Sequence, residues 1–173
     1  CARVSGDQGE TWSDLEPCFP LKDLPGHLPS VAEAVLDRHG EIHAFMLAQW
    51  QCDARGEGER GVAGTYGGSR IDIWHVRTTH GRTLWQAPRC IWEGYTGALN
   101  SAILLQSGRI LLPFSYYVPR TWGNRGTGLD AFTFMGMFLA TAIYSDDDGA
   151  TWQTSNDVKV VTPDISYAYG ACE

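Results

Sequence analysis

Apolar and polar residues alternate along this chain in short runs, and each run is closed by a Gly-containing turn. Leu28 to Leu36 and Glu41 to Gln49 form one pair of runs, joined by Asp37-Arg38-His39-Gly40. Ala98 to Leu105 and Arg109 to Tyr117 form another, joined by Gln106-Ser107-Gly108. Ile42, Ala44, Met46 and Ala48 share one face of a period-two strand, and Val31, Glu33 and Val35 alternate with small residues. This pattern predicts antiparallel hairpins. Two more strands, Ile71 to Thr78 and Phe134 to Ser145, each lead into a turn phrase. Behind a capping box at Ser30-Val31-Ala32-Glu33, Val31 to Arg38 also fits a short helix. The strand at the matching place in the second pair decides for a strand there. The intervals Gln51 to Arg70 and Val118 to Thr133 are rich in Gly and Arg, and long enough to serve as rims or lids.

The turn phrase recurs. Ser5-Gly6-Asp7-Gln8-Gly9-Glu10-Thr11-Trp12 and Ser145-Asp146-Asp147-Asp148-Gly149-Ala150-Thr151-Trp152 both read S-x-D-x-G-x-T-W. An Asp carboxylate can bond backbone N–H groups two residues on, Gly admits φ > 0, and the hydroxyls tie the ends. The Trp supplies an apolar ring to wedge between sheets, with an indole N–H seeking a partner. A degraded copy, Arg77-Thr78-Thr79-His80-Gly81-Arg82-Thr83-Leu84-Trp85, lies between them, with His80 near the Asp position and Leu84 inserted before the Trp. Trp12, Trp85 and Trp152 are about 70 residues apart, room for one four-stranded sheet with long loops per interval. Such repetition predicts an all-β propeller.

Composition agrees: 20 Gly with seven Trp and seven Tyr suit tight turns and strands better than helices. A formal charge of −7 argues against a general nucleic-acid binder, which needs clustered Lys and Arg. No apolar run approaches the roughly 18 residues of a membrane span. Cys1, Cys18, Cys52, Cys90 and Cys172 are irregularly spaced; free buried thiols are favoured over one or two bridges. His39 and His43 straddle a turn without adjacent Cys, which disfavours zinc. Asp146-Asp147-Asp148 lacks the twelfth-position Glu of a calcium loop, and Gly64-Thr65-Tyr66-Gly67-Gly68 falls short of a nucleotide-binding pattern. No metal or cofactor is expected. Both ends read as cut from a larger protein, so a signal region is out of view. The expectation leans toward a secreted or extracytoplasmic protein.

These phrases resemble the Asp-box (BNR repeat) of sialidases, or neuraminidases, and sialidase-like proteins. Thr78 to Pro88 looks like the family's second box with its small-x-Pro tail. Asn100 to Pro113, with its Gly turn and Arg109-Ile110-Leu111-Leu112-Pro113, resembles the next inner hairpin. Tyr169-Gly170-Ala171-Cys172-Glu173 resembles the run into the family's inward-pointing glutamate. The resemblance spans nearly the whole chain in the family's order. It implies part of a six-bladed β-propeller: 1–16 ending one blade, 17–95 and 96–160 forming the second and third, and 161–173 opening the fourth.

The resemblance also implies chemistry. The sialic acid carboxylate sits on the anomeric carbon and repels a carboxylate nucleophile; the family uses a Tyr activated by a Glu, with an Asp as acid/base and three Arg on the substrate carboxylate. By position Glu173 corresponds to that Glu. Tyr117 corresponds to a pocket Tyr of animal members, although Ser115 stands where they carry another Tyr. Asn100, ahead of the inner strand, is a second pocket candidate. The Arg triad, the Asp and the nucleophilic Tyr are not identified in this chain, so the piece alone is expected to be inactive. The expected partner is a glycan substrate. A propeller that binds glycans or proteins without hydrolysis, and a hydrolase of another sugar, remain open beside the sialidase reading.

Overall fold

The computed structural model describes residues 3–16, 27–51, 69–81, 84–118 and 137–158. Two antiparallel sheets share one plan. In the first, β1 (His27–Leu36), β2 (Ile42–Gln51) and β3 (Ser69–Thr79) pair in chain order. Both β4 (Leu84–Trp85) and β5 (Arg89–Trp92) then pair with β3, as one broken fourth strand. In the second, β6 (Thr96–Leu99) and β7 (Ile103–Leu104) both pair with β8 (Ile110–Val118), as one broken first strand. β9 (Met137–Ser145) and β10 (Gln153–Thr154) complete it. The described residues contain no helix, so Val31 to Leu36 is strand, and the run expected from Ala98 to Leu105 is interrupted at 100–102.

The main core lies between the sheets. Phe45 and Ile73 of the first meet Ile110, Leu112, Phe114 and Ile143 of the second, all essentially buried. Trp92 meets Phe114 edge-on at 4.9 Å. On the opposite face of the first sheet, Ala44, Met46 and Val76 form a second buried cluster backed by Trp74 and Trp85. Both faces of β2 are therefore covered, one by the alternating set read from sequence and the other by His43 and Phe45.

The two complete turn phrases are bonded alike. Asp7 Oδ1 accepts the Thr11 N–H at 2.9 Å and Asp147 Oδ1 that of Thr151 at 2.8 Å. The Thr hydroxyls donate to the other carboxylate oxygens at 2.5 and 2.6 Å. Ser5 Oγ accepts from the Gly9 N–H at 2.7 Å and Ser145 Oγ from that of Gly149 at 2.8 Å. Bonds from the Thr hydroxyl and N–H, with one from the Ser hydroxyl, hold both Asp carboxyls down to about 2. Trp152 wedges between the sheets, edge-on to Phe45 at 5.4 Å, as expected. Its Nε1 has no hydrogen-bond partner among the described residues. Trp12 instead is 59% exposed and donates to its own Gly9 carbonyl at 3.1 Å.

The degraded phrase keeps the turn with His80 one position past the Asp. Left-handed φ pairs occur at Gln8-Gly9, His80-Gly81 and Asp148-Gly149, which aligns His80 with Gln8 and Asp148. Thr79, not His80, thus holds the Asp position. Arg77 stands at the Ser position, and a neighbouring hairpin supplies the acceptor that Ser Oγ gives the other turns: Glu41 Oε1 takes the Gly81 N–H at 2.8 Å, and Oε2 takes the Thr78 hydroxyl at 2.6 Å. We expect Glu41→Ala to cost about 1–2 kcal/mol, read as a lower urea midpoint at unchanged slope. A midpoint equal to wild type would show that the turn does not depend on this carboxylate.

Candidate functional site

Strand directions give the molecule two different ends. The turns at 37–41, 105–109 and 146–151 lie at one with His80-Gly81, while the ends of β2 and β8, the starts of β3 and β9 and the link 93–95 lie at the other. At this second end the sheets are stitched through one short link. The Ile71 N–H donates to the Gly94 carbonyl at 2.7 Å, and the Tyr117 N–H to the Tyr95 carbonyl at 2.9 Å. The Thr96 hydroxyl bonds the Ile71 carbonyl at 2.8 Å.

Next to the link, Asp72 is 1% exposed, ion-paired to Arg70 at 2.9 Å and bonded by the Gly94 N–H at 3.0 Å. Burial pushes its carboxyl up, and the Glu93 charge adds to that; the Gly94 N–H and the Arg70 guanidinium pull it back. Both oxygens are engaged, which makes Asp72 a tie between β3 and the link rather than a free acid or base. Burial, followed by the Asp72 and Glu93 charges, pushes the Cys90 thiol up to about 11, so it is no nucleophile at neutral pH.

On the face of the second sheet turned away from the first, Tyr117 and Phe138 are register partners with ring centroids 5.5 Å apart. Tyr95 joins them at 6.3 and 6.4 Å. A Cβ at Gly97 would stand 2.5 Å from the Phe138 ring and 2.9 Å from Ser115 Oγ. Gly97 and Ser115 together leave the room that this ring occupies. Tyr116 points the other way, against Trp92, and donates to Asp157 at 2.9 Å. Burial first, then that carboxylate, raises its phenol to about 12.

Of the sequence candidates, Tyr117 stands 7% exposed within this aromatic trio. Asn100 is exposed on the edge of the second sheet, its N–H on the Pro113 carbonyl at 3.0 Å. Pro113 lies four residues from Tyr117, or about 13 Å along the strand, so the two candidates do not converge. Glu173 lies outside the described residues. Arg70, Asp72 and Tyr95 were not singled out from sequence; an Arg-x-Asp pair on one face of an apolar strand was the available signal. The three rings of the trio pack edge-on against one another. No group of three His, Cys, Asp or Glu among the described residues is placed to hold a metal ion.

Comparison with known proteins places this geometry. The chain is similar to the crystal structure of a protein of unknown function from Dyadobacter fermentans, with TM-score 0.60 and 18% identity over 87% of this chain and 42% of that one. It is also similar to the Hadza microbial sialidase Hz136, with TM-score 0.53 and 17% identity over 91% of this chain and 30% of that one. The likeness is one of fold. The chain spans less than half the length of either structure. No family model matches it, and no curated protein does.

Proposed function

We propose that this chain is part of a sialidase-like six-bladed β-propeller whose complete form removes terminal sialic acid, or a related acidic sugar, from glycoconjugates. In this reading residues 17–95 and 96–160 are two successive blades, and the turn phrases are Asp-boxes. The supporting observation is that both sheets repeat one four-position plan with the same turn between the third and fourth positions. The fold likeness to a microbial sialidase agrees with it.

The chemistry follows from the substrate. A Tyr phenol, neutral until Glu173 draws off its proton, approaches the carboxylate-bearing anomeric carbon without charge repulsion. Attack breaks the bond to the aglycone, whose oxygen is protonated by an acid/base Asp not identified in this chain, and water then opens the tyrosyl intermediate from the face the aglycone left, giving net retention. Tyr117 contributes to the wall of the sugar pocket, and Asn100, about 13 Å away along the strand, lies outside it. The test is release of the fluorophore from a fluorogenic α-sialoside by the full-length protein, with product stereochemistry followed by NMR. Retained product supports the reading. Glycan binding without release would replace it by a non-catalytic propeller, and neither binding nor release would end it.

A further inference from the structure

At the turn end the two sheets meet over three buried ionisable side chains for which the proposed chemistry has no use. His43 is 0% and His75 3% exposed, with Nδ1 of the former 2.9 Å from Nε2 of the latter. His43 Nε2 lies 3.3 Å from Asp37 Oδ2. The other Asp37 oxygen accepts the N–H groups of His39 at 2.8 Å and Glu41 at 2.9 Å. A carboxylate only accepts, which sets the direction of the chain: His43 Nε2–H donates to Asp37, and His75 Nε2–H to His43 Nδ1. The rings are nearly coplanar, 16° apart, as an in-plane bond between them requires.

The second sheet closes over this chain. Trp152 meets His75 edge-on at 5.0 Å. Gly149, at φ +79°, leaves so little space that a Cβ there would stand 2.9 Å from atoms of both imidazoles. Arg77 donates to the Asp148 carbonyl, and Arg89 to that of Ala150 at 2.6 Å, so the turn is also fastened by two guanidiniums.

We infer that Asp37, His43 and His75 form a proton-sensitive latch, which seats turn 146–151 on the first sheet while both imidazoles are uncharged and releases it once they charge. Two protonated rings would face each other with N–H donors across 2.9 Å, losing their bond, and would place a cation beneath Trp152. The charged groups facing the pair are Asp37 from the β1–β2 turn, Arg77 of β3, Arg89 of β5 and Asp148 of the turn itself. Asp37 and Asp148 favour proton uptake, and the arginines oppose it.

Burial outweighs all of these, holding His43 below its ordinary value and His75 down to about 3. Burial also works against the Asp37 charge, but the Glu41 N–H, His43 and the His39 N–H outweigh it and keep that carboxyl below its usual range. A histidine with a depressed folded value binds more protons when the chain opens. The latch's contribution is therefore complete above about pH 6.5 and is lost as pH falls toward 3. Asp37 stays ionised through most of that window.

The inference is independent of the glycosidase reading and is tested without substrate. In the full-length protein the melting temperature should fall by roughly 4–8 °C more between pH 7 and pH 5 than in the double variant His43→Asn/His75→Gln, which keeps polar groups but cannot take up a proton. Imidazole NMR of the unmodified protein gives a second reading. Both rings should be neutral at pH 7 in the stated tautomers, and should titrate together with a change in the Trp152 indole signal. Equal pH slopes in the two proteins would overturn the latch. So would two histidines titrating independently near 6.5, or an indole signal indifferent to their protonation.

Discussion

Glu173→Gln in the full-length protein is expected to lower sialoside turnover by about 10²–10⁴-fold, the usual contribution of a positioned general base. Gln keeps the shape and a hydrogen-bond acceptor but cannot take the phenol proton, so the nucleophile stays in its weak neutral form. Substrate affinity and melting temperature should change little. That pattern separates loss of a base from loss of structure: kcat falls while KM and stability hold. Turnover within a few-fold of wild type would remove Glu173 from the mechanism. A large drop in melting temperature would show the carboxylate serving the fold instead.

Phe45→Ala should cost about 3–5 kcal/mol, a large share of the stability of a typical domain. Phe45 is fully buried at the centre of the inter-sheet core, edge-on to Trp152 and tilted against His75, each at 5.4 Å. Its removal leaves a cavity bounded by both sheets, and neither can close on it without breaking its own strand register. Phe45→Leu, which keeps most of the volume, should lose less than half as much. Urea midpoints measured together with Trp fluorescence check both variants. A loss for Phe45→Ala within about 0.5 kcal/mol of zero, the usual range of surface substitutions, would mean that the core does not bind the sheets as described.

The sheets were legible because their strands alternate and their hairpins are closed by Gly. Gly40 and Gly108 ended runs that became β1, β2 and β8, and the turn phrases appeared with Ser, Asp, Gly and Thr bonded together, the Asp accepting the N–H four residues on rather than two. Periodicity could not show that β2 is covered on both faces, since His43 and His75 look polar in sequence and become apolar surroundings only by pairing with each other. Nor could it reveal the breaks within the strand pairing with β8, which depend on local register. The bonding of the middle turn was not legible because its acceptor, Glu41, lies 37 residues before Thr78 and 40 before Gly81, and a linear motif holds no trace of that. At the candidate site, Tyr117 was singled out only through the family resemblance, whereas Asp72 needed the Gly94 link to acquire meaning.

The borrowed carboxylate at the middle turn separates shape from spelling. The same left-handed corner is held there by a side chain from another hairpin, so a search on consecutive letters passes over it. Glu41 thereby couples two hairpins that a linear motif treats as independent, and loosening one should loosen the other.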